Sequence, residues 1–208
     1  MTIVNRLATQ LDRRDEEPNI ELAQELVREN NIEGIHEIIH NLTNKNKKIQ
    51  QDCIKVAYEI GNLKPKLISQ YAPTFITLLK SPNNRLVWGS MQALAIIAKE
   101  VPEILMEQVH SIKLAIKNGS VITVDKGVLT LALLASINKE NNEKIFPFLM
   151  DHLRTCRTKE IPQHSESIMI AVTDSNKEEF LNILQEREQY LTKPQHKRVA
   201  AIIKQFTT

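Results

Sequence analysis

The sequence predicts an all-α fold, an α-solenoid in which helical hairpins repeat about every 37 residues. Three observations support this prediction. Only 5 glycines and 8 prolines occur among 208 residues and aromatic residues make up 4%, whereas sandwiches and barrels need many turns. The segments 36–61, 73–98 and 110–135 align without a gap, each 37 residues after the one before. Within each segment, apolar residues recur at the helical spacing i, i+3, i+7.

Each repeat is predicted to consist of helix A, a polar turn, helix B and a second turn. Three apolar rows run across successive A helices: Ile35, Ala72, Val109 and Phe146; Ile38, Phe75, Ile112 and Leu149; Leu42, Leu79, Ile116 and Leu153. Three more rows run across the B helices: Ile54, Met91 and Val128; Ala57, Leu94, Leu131 and Ile168; Ile60, Ile97, Leu134 and Ala171. Because one hairpin cannot bury both of its apolar faces, we expect these rows to lie between stacked repeats. Pro65 and Pro102 share a repeat position at which proline can begin the next helix A.

The repeats set the predicted domain organisation. We expect residues 1–208 to form a single domain with about ten to twelve helices and no sheet. Residues 31–206 hold about five repeats, and the last of them, from residue 182 onwards, is degenerate. Residues 1–30 are expected to form an N-terminal helix pair, with helices over 2–14 and 19–30.

The second repeat, LLKSPNNRLVWGSMQALAIIA, resembles a HEAT repeat of the armadillo-type helical repeat family. The residues that match the family pattern are Leu78, Leu79, Pro82, Leu86, Ser90, Ala93 and Leu94. Ser81 and Val87 depart from it, since the family often has Asp and Arg at these positions. The resemblance covers roughly residues 30–206. It implies a right-handed α-solenoid with the A helices on the convex face and the B helices on the concave face.

Net charge, cysteine content and apolar stretches limit the kinds of partner, cofactor and location that the sequence supports. The formal net charge of +2 is too small to indicate any class of partner by itself. Cys53 and Cys156 form no C-x-x-C pair, so neither a zinc knuckle nor a redox pair is predicted. The longest apolar-rich stretch, 128–137, is shorter than a bilayer span, and residues 1–17 lack a signal-peptide core. We therefore expect a cytoplasmic protein with reduced thiols, no cofactor and no membrane partner.

The segment HEIIH at 36–40 matches H-E-x-x-H and resembles the motif of the zincin metallopeptidases. On a helix, His36 and His40 lie on one face and can bind zinc, with Glu37 as general base and Glu59 of the next helix as a third ligand. Zincins also bind substrate at a β-sheet edge, for which this sequence gives no strand pattern. We predict no metal site here and keep a zinc hydrolase as the second alternative function.

Trp88 is the only tryptophan and is the predicted centre of a partner-binding groove. Together with Gln92 it points away from the core face of helix B. Gln51 and Asp125 lie 37 residues to either side, so Gln51, Trp88 and Asp125 are expected to form a row across the concave groove. An exposed tryptophan among polar neighbours can anchor a partner or a nucleobase. The alternative is that Trp88 packs onto the adjacent repeat.

The turns between helices A and B are rich in Lys and Arg, which predicts one basic edge of the solenoid. Its candidate partner-binding residues are Lys45, Lys47, Lys48 and Arg85. The N-termini of the B helices open on this edge and add to its positive field. Acidic peptides or nucleic-acid phosphates would be attracted there, although lysines in turns also serve solubility.

These observations together predict a non-enzymatic binding or scaffold module. The sequence has no P-loop, no G-x-G-x-x-G and no G-x-S-x-G motif. A HEAT-like solenoid would present its groove and its basic edge to a protein or peptide. The first alternative is a nucleic-acid-binding protein similar to the HEAT-like DNA alkylation glycosylases, which as a family hold lesions with aromatic residues and an acid on a basic concave surface.

Overall fold

The computed structural model describes residues 2–207, and these residues form helices, turns and no strand. The all-α prediction is confirmed. The described residues contain thirteen α-helices: α1 (Glu17–Arg28), α2 (Ile32–His40), α3 (Lys47–Leu63), α4 (Lys66–Ser69), α5 (Ala72–Leu78), α6 (Asn84–Ile97), α7 (Pro102–Glu107), α8 (Val109–Asn118), α9 (Val121–Ala135), α10 (Lys139–Thr155), α11 (Ile161–Ile168), α12 (Lys177–Glu188) and α13 (Lys193–Thr207). Four short 3₁₀ segments accompany them: Ile3–Arg6, Asn41–Thr43, Thr158–Glu160 and Met169–Ala171. Over the same residues, no helix is both long and apolar enough to cross a membrane.

The chain divides into two compact units, of which the first ends at Gly127 and the second begins at Val128. The first unit contains α1 to α8 and the start of α9. Its B helices α3 and α6 pack against each other, and α1 packs against α3. In the second unit, α12 packs against both α10 and α13, and α11 packs against α13.

Two of the predicted A helices are each divided into a short helix and a longer one, so the structure has more helices than expected. The breaks lie at Tyr71, with φ −93° and ψ 11°, and at Gln108, with φ −107° and ψ 14°. These angles lie in the bridge region outside the α-helical range. At the first break, Pro73 lacks the N–H group that would bond the carbonyl of Ser69 in a continuous helix.

The predicted core rows are buried. Every member of the six rows is at most 8% exposed except Val109, which is half-buried at the start of α8. The B helices α3 and α6 approach each other closely at Gly89. A methyl group on Gly89 would come within 2.6 Å of Cγ1 of Ile54, so the bare glycine allows this approach.

Asparagine caps fix the starts of α3 and α6. The Asn46 side chain accepts a hydrogen bond from the Lys48 backbone N–H at 2.9 Å, and the Asn83 side chain accepts one from the Arg85 N–H at 3.1 Å. Asn83 also donates to the side chain of Gln50 at 3.0 Å, which ties the start of α6 to α3. Lys48 and Arg85 therefore occupy the first turns of successive B helices, 37 residues apart.

The predicted helix over residues 2–14 is wrong. This segment contains the 3₁₀ turn Ile3–Arg6 and further turns, and Leu11 is 53% exposed. Side chains from other helices bind its backbone N–H groups in place of helical carbonyls. The N–H of Val4 donates to Glu37 at 3.1 Å and that of Thr9 donates to Asp52 at 2.8 Å. The second helix of the pair forms as α1.

Candidate functional site

Four side chains of α3 and α6 form a cation–aromatic cluster: Lys55, Tyr58, Arg85 and Trp88. Cζ of Arg85 lies 4.3 Å from the centroid of the Trp88 ring, and Nζ of Lys55 lies 5.0 Å from the centroid of the Tyr58 ring. The two ring centroids are 6.1 Å apart. Each cation is three residues from its aromatic partner and so shares a helix face with it. The cluster therefore joins the B helices of two successive repeats.

The cluster binds a carboxylate from the N-terminal segment of the chain itself. Glu16, at the start of α1, pairs with Arg85 through Oε1 and with Nζ of Lys55 through Oε2 at 3.0 Å. Burial opposes the charge of Glu16, but hydrogen bonds from Arg85 and Lys55 outweigh it and lower the pKa of the carboxyl. Burial likewise opposes the charge of Lys55, but hydrogen bonds to Glu59 and Glu16 raise its pKa. Glu16 and Lys55 are therefore both charged at neutral pH.

A cavity of about 480 Å³ lies between residues 8–16 and the starts of α3 and α6. Lys48, Gln51 and Arg85 from the predicted site line it. The exposed cation Arg14 also lines it, and neither Arg14 nor Lys48 has a side-chain ion pair among the described residues. The cavity therefore holds two unpaired cations beside the bound Glu16 carboxylate, and three further acids also line it: Asp12, Asp15 and Asp52.

The structure brings only part of the predicted groove together. Gln51, Trp88, Gln92 and Asp125 all belong to the first unit and all are partly exposed. Gln51 lines the cavity and Trp88 belongs to the cation–aromatic cluster, and both features contain Arg85. Gln92 and Asp125 lie outside the cavity lining and outside the cluster. Trp88 contacts the preceding helix B through Tyr58 and still keeps exposed surface.

The predicted basic edge has two kinds of residue. Lys45, Lys47 and Lys48 are exposed at the start of α3, and within residues 2–207 no acidic side chain pairs with them. Arg85 differs from these lysines, since it is half-buried and held by Glu16 and Trp88. The exposed edge lysines add a positive field to this surface, while the guanidinium of Arg85 is engaged by groups of the chain itself.

The HEIIH segment takes part in other contacts. His36 and His40 are exposed on α2. Glu37 accepts a hydrogen bond from the backbone of the N-terminal 3₁₀ turn, and Glu59 pairs with Lys55 at 2.7 Å. These contacts occupy the two carboxylates that a zinc hydrolase would need as its base and its third ligand, so this alternative is not favoured.

The sequence analysis missed Lys55 of the cation–aromatic cluster and a second group of residues, which lies in the second unit. Lys55 occupies the repeat position of Gln92, 37 residues earlier, and this shared position could have grouped it with the predicted groove residues. The second group, in the second unit, combines residue types that bind metals: His152, Cys156 and His164. His164 occupies the repeat position of small buried residues, since Gly127 lies 37 residues before it. The imidazole of His164 at a repeat position that holds a small residue in the preceding repeat was the sequence signal that could have indicated this group.

Neither cysteine has the properties of an activated nucleophile. Burial raises the pKa of Cys53 to about 12 and that of Cys156 to about 11. Both side chains are buried, so at neutral pH both thiols are protonated.

No protein-family model matches the chain, and no curated protein sequence matches it significantly. Among solved structures, a designed armadillo repeat protein in complex with the peptide (KR)4 is similar, with a TM-score of 0.70 and 15% identity over 90% of this chain and 86% of that one. Computationally designed armadillo repeat proteins for modular peptide recognition give a TM-score of 0.67 and 15% identity over 97% of each chain. An engineered protein gives 0.67 and 16% over 98% of this chain and 96% of its own. At such identities the likeness concerns the fold: the chain is an all-α solenoid of HEAT/armadillo-like helical repeats.

Proposed function

We propose that this HEAT/armadillo-like solenoid is a non-catalytic module that binds an extended, acidic segment of a protein partner. The observation that carries the proposal is the Glu16 carboxylate, which Arg85 and Lys55 bind beside Trp88. Glu16 lies in the N-terminal segment, outside the repeats that bind it, and a partner's Asp or Glu offers the same carboxylate group.

The chemistry of the cluster favours a carboxylate ligand. A guanidinium presents N–H donors in a planar fork that matches a carboxylate, and stacking on Trp88 fixes the plane of the Arg85 group. The exposed Lys45, Lys47 and Lys48 add positive charge near the cavity. Such charges accelerate encounter with an acidic partner more than they add affinity.

The other groove residues have separate roles in the proposal. Trp88 supplies an apolar surface for a side chain of the ligand next to the bound acid. Gln51, Gln92 and Asp125 supply amide and carboxylate groups that can bond the backbone of an extended segment. A peptide as ligand agrees with the two designed armadillo neighbours, one bound to (KR)4 and one made for peptide recognition. The expected sign of the peptide charge comes from this chain's own Arg85, Lys55 and edge lysines.

A fluorescence titration tests the proposal, because Trp88 is the only tryptophan. We expect an (Asp-Glu)4 peptide to change the Trp88 emission in a saturable way, and a (Lys-Arg)4 peptide to leave it unchanged. Arg85→Gln should abolish the response to the acidic peptide. Arg198→Gln is the matched control, since it removes an arginine that pairs with Glu166 at 2.6 Å in the second unit. Equal binding of both peptides, or equal loss in both variants, would overturn the proposal.

A further inference from the structure

A group of metal-binding residue types lies where two helices of the second unit meet. His152 is in the last turn of α10, and Cys156 is its C-cap residue one turn later. His164 is on α11 and has no exposed surface, while Cys156 is 9% exposed. One donor atom of each residue lies within 4.8 Å of the other two. The three donor atoms therefore lie close together, and the C-terminal end of α10 and helix α11 hold them.

We propose that His152, Cys156 and His164 form a binding site for a transition-metal ion, with Zn²⁺ as the best match. Zinc binds imidazole nitrogen at about 2.0–2.1 Å and thiolate sulfur at about 2.3 Å in tetrahedral geometry, which separates neighbouring donors by about 3.3–3.6 Å. Nε2 of His152 and Nδ1 of His164 are already 3.0 Å apart. Small side-chain rotations would bring all three donors to zinc-binding distance.

The contact between the two imidazoles prepares them for a metal. Two ring nitrogens that face each other at 3.0 Å hold one proton between them, since one must donate and the other accept. A cation placed there displaces that proton to solvent, and the ring that carried it takes up a proton from solvent on its other nitrogen, so both imidazoles bind the cation in their neutral form. The thiol of Cys156 releases its own proton to solvent and binds as thiolate.

The burial of Cys156 and His164 distinguishes this group from a chance surface cluster. A fully buried imidazole in the position of a small residue is costly unless its polar atoms are bonded. The buried acid Glu160 is held in an ion pair by Arg157, so its carboxylate is already engaged. We therefore assign two nitrogens and one sulfur to the site, and leave the fourth tetrahedral position to a water or to a donor from a bound molecule.

The donor set defines the class of ion. Imidazole and thiolate ligands select Zn²⁺ and neighbouring late transition metals, whereas Mg²⁺ and Ca²⁺ require oxygen ligands. This site is separate from the exposed His36 and His40 of α2 and from the proposed peptide surface of the first unit.

Cobalt titration of the purified full-length protein tests the site. Co²⁺ bound by a thiolate shows charge-transfer absorption, and we expect this band to saturate at one Co²⁺ per chain and to disappear when Zn²⁺ is added. Cys156→Ser should abolish the band. Cys53→Ser is the matched control, since Cys53 is also a buried thiol, and it should retain the band. His152→Ala, at a half-buried position, should weaken Co²⁺ binding about tenfold or more.

A measurement on the unmodified chain keeps the test decisive if a variant fails to fold. Under mildly denaturing conditions, Zn²⁺ should slow the alkylation of Cys156 and leave that of Cys53 unchanged, as read by peptide mass spectrometry. Three results would overturn the proposal: no charge-transfer band in the folded protein, a band that persists in Cys156→Ser, or an alkylation rate of Cys156 that Zn²⁺ does not slow.

Discussion

The guanidinium of Arg85 lies over the indole ring of Trp88, with Cζ 4.3 Å from the ring centroid. The same guanidinium pairs with Glu16, so its cation is held between an aromatic face and a carboxylate. A cation over a tryptophan ring contributes about 0.5–1 kcal/mol at exposed sites and more when desolvated. Trp88 thus orients the cation that is expected to bind the partner, and it offers its remaining surface to the same partner.

Trp88→Ala should weaken binding of the (Asp-Glu)4 peptide by about 2 kcal/mol or more, because it removes the aromatic anchor and frees Arg85 to move. Trp88→Phe keeps an aromatic face and should retain part of the affinity. Fluorescence anisotropy of a labelled peptide measures both variants, and circular dichroism checks that their helical content is intact. Unchanged affinity in a folded Trp88→Ala protein would place the binding site elsewhere, whereas unfolding would assign Trp88 to the core.

Glu16→Gln should tighten binding of the same acidic peptide, because it removes the internal carboxylate that competes for Arg85 and Lys55. Glu21→Gln is a matched control, because Glu21 is exposed on helix α1 and its substitution removes the same charge. Anisotropy titrations at constant salt should show a lower Kd for Glu16→Gln alone. An equal gain in affinity in both variants would show that the effect comes from net charge and not from the Glu16 carboxylate.

Glu16→Gln should also lower the free energy of unfolding at neutral pH. The pKa of Glu16 is lowered in the folded protein, so its ion pairs stabilise the fold above the ordinary value of 4.5 and lose this effect as the pH falls below it. Because the Glu16 side chain is 44% exposed, we expect a loss of about 1 kcal/mol or less. Urea denaturation should show a difference from the parent protein at about pH 7 that shrinks near about pH 3. A constant difference would contradict the assignment.

The repeat period of the sequence predicts features that recur in every repeat. It does not predict contacts that occur only once in the structure. The core rows recur, so Ile38 and its equivalents could be placed as buried from their spacing alone. Glu16 lies in the segment before the repeats and meets Arg85 from 69 positions away, so no internal alignment could pair the two. The predicted helix over 2–14 failed for a related reason. Its apolar spacing favours a helix, but Leu11 is exposed, and carboxylates such as Asp52 on the later helix α3 bind its N–H groups.

Charge reversal at Lys47 and Lys48 should slow association with the acidic peptide and reduce its dependence on salt, with a smaller effect on dissociation. Both lysines are exposed and have no described acidic partner, so their field acts mainly during encounter. The matched control reverses Lys66 and Lys99, which are exposed on the opposite turns of the same unit. Stopped-flow measurements at several salt concentrations separate the two rates. Equal slowing in both double variants would show that net charge alone matters.

Ile112→Asp should unfold or severely destabilise the protein, because Ile112 has no exposed surface and belongs to the core row of Ile38 and Phe75. A carboxylate there has no cation to pair with in the row, and burial of an unpaired charge lowers the free energy of unfolding by about 3 kcal/mol or more. Leu114→Asp introduces the same side chain two residues later on α8, where Leu114 is 46% exposed, and should change stability by only about 0.5 kcal/mol. Urea denaturation followed by circular dichroism measures both. If the two substitutions destabilised the protein equally, the predicted inward face of α8 would be wrong, and with it the repeat register from which the binding surface around Trp88 and Arg85 is proposed.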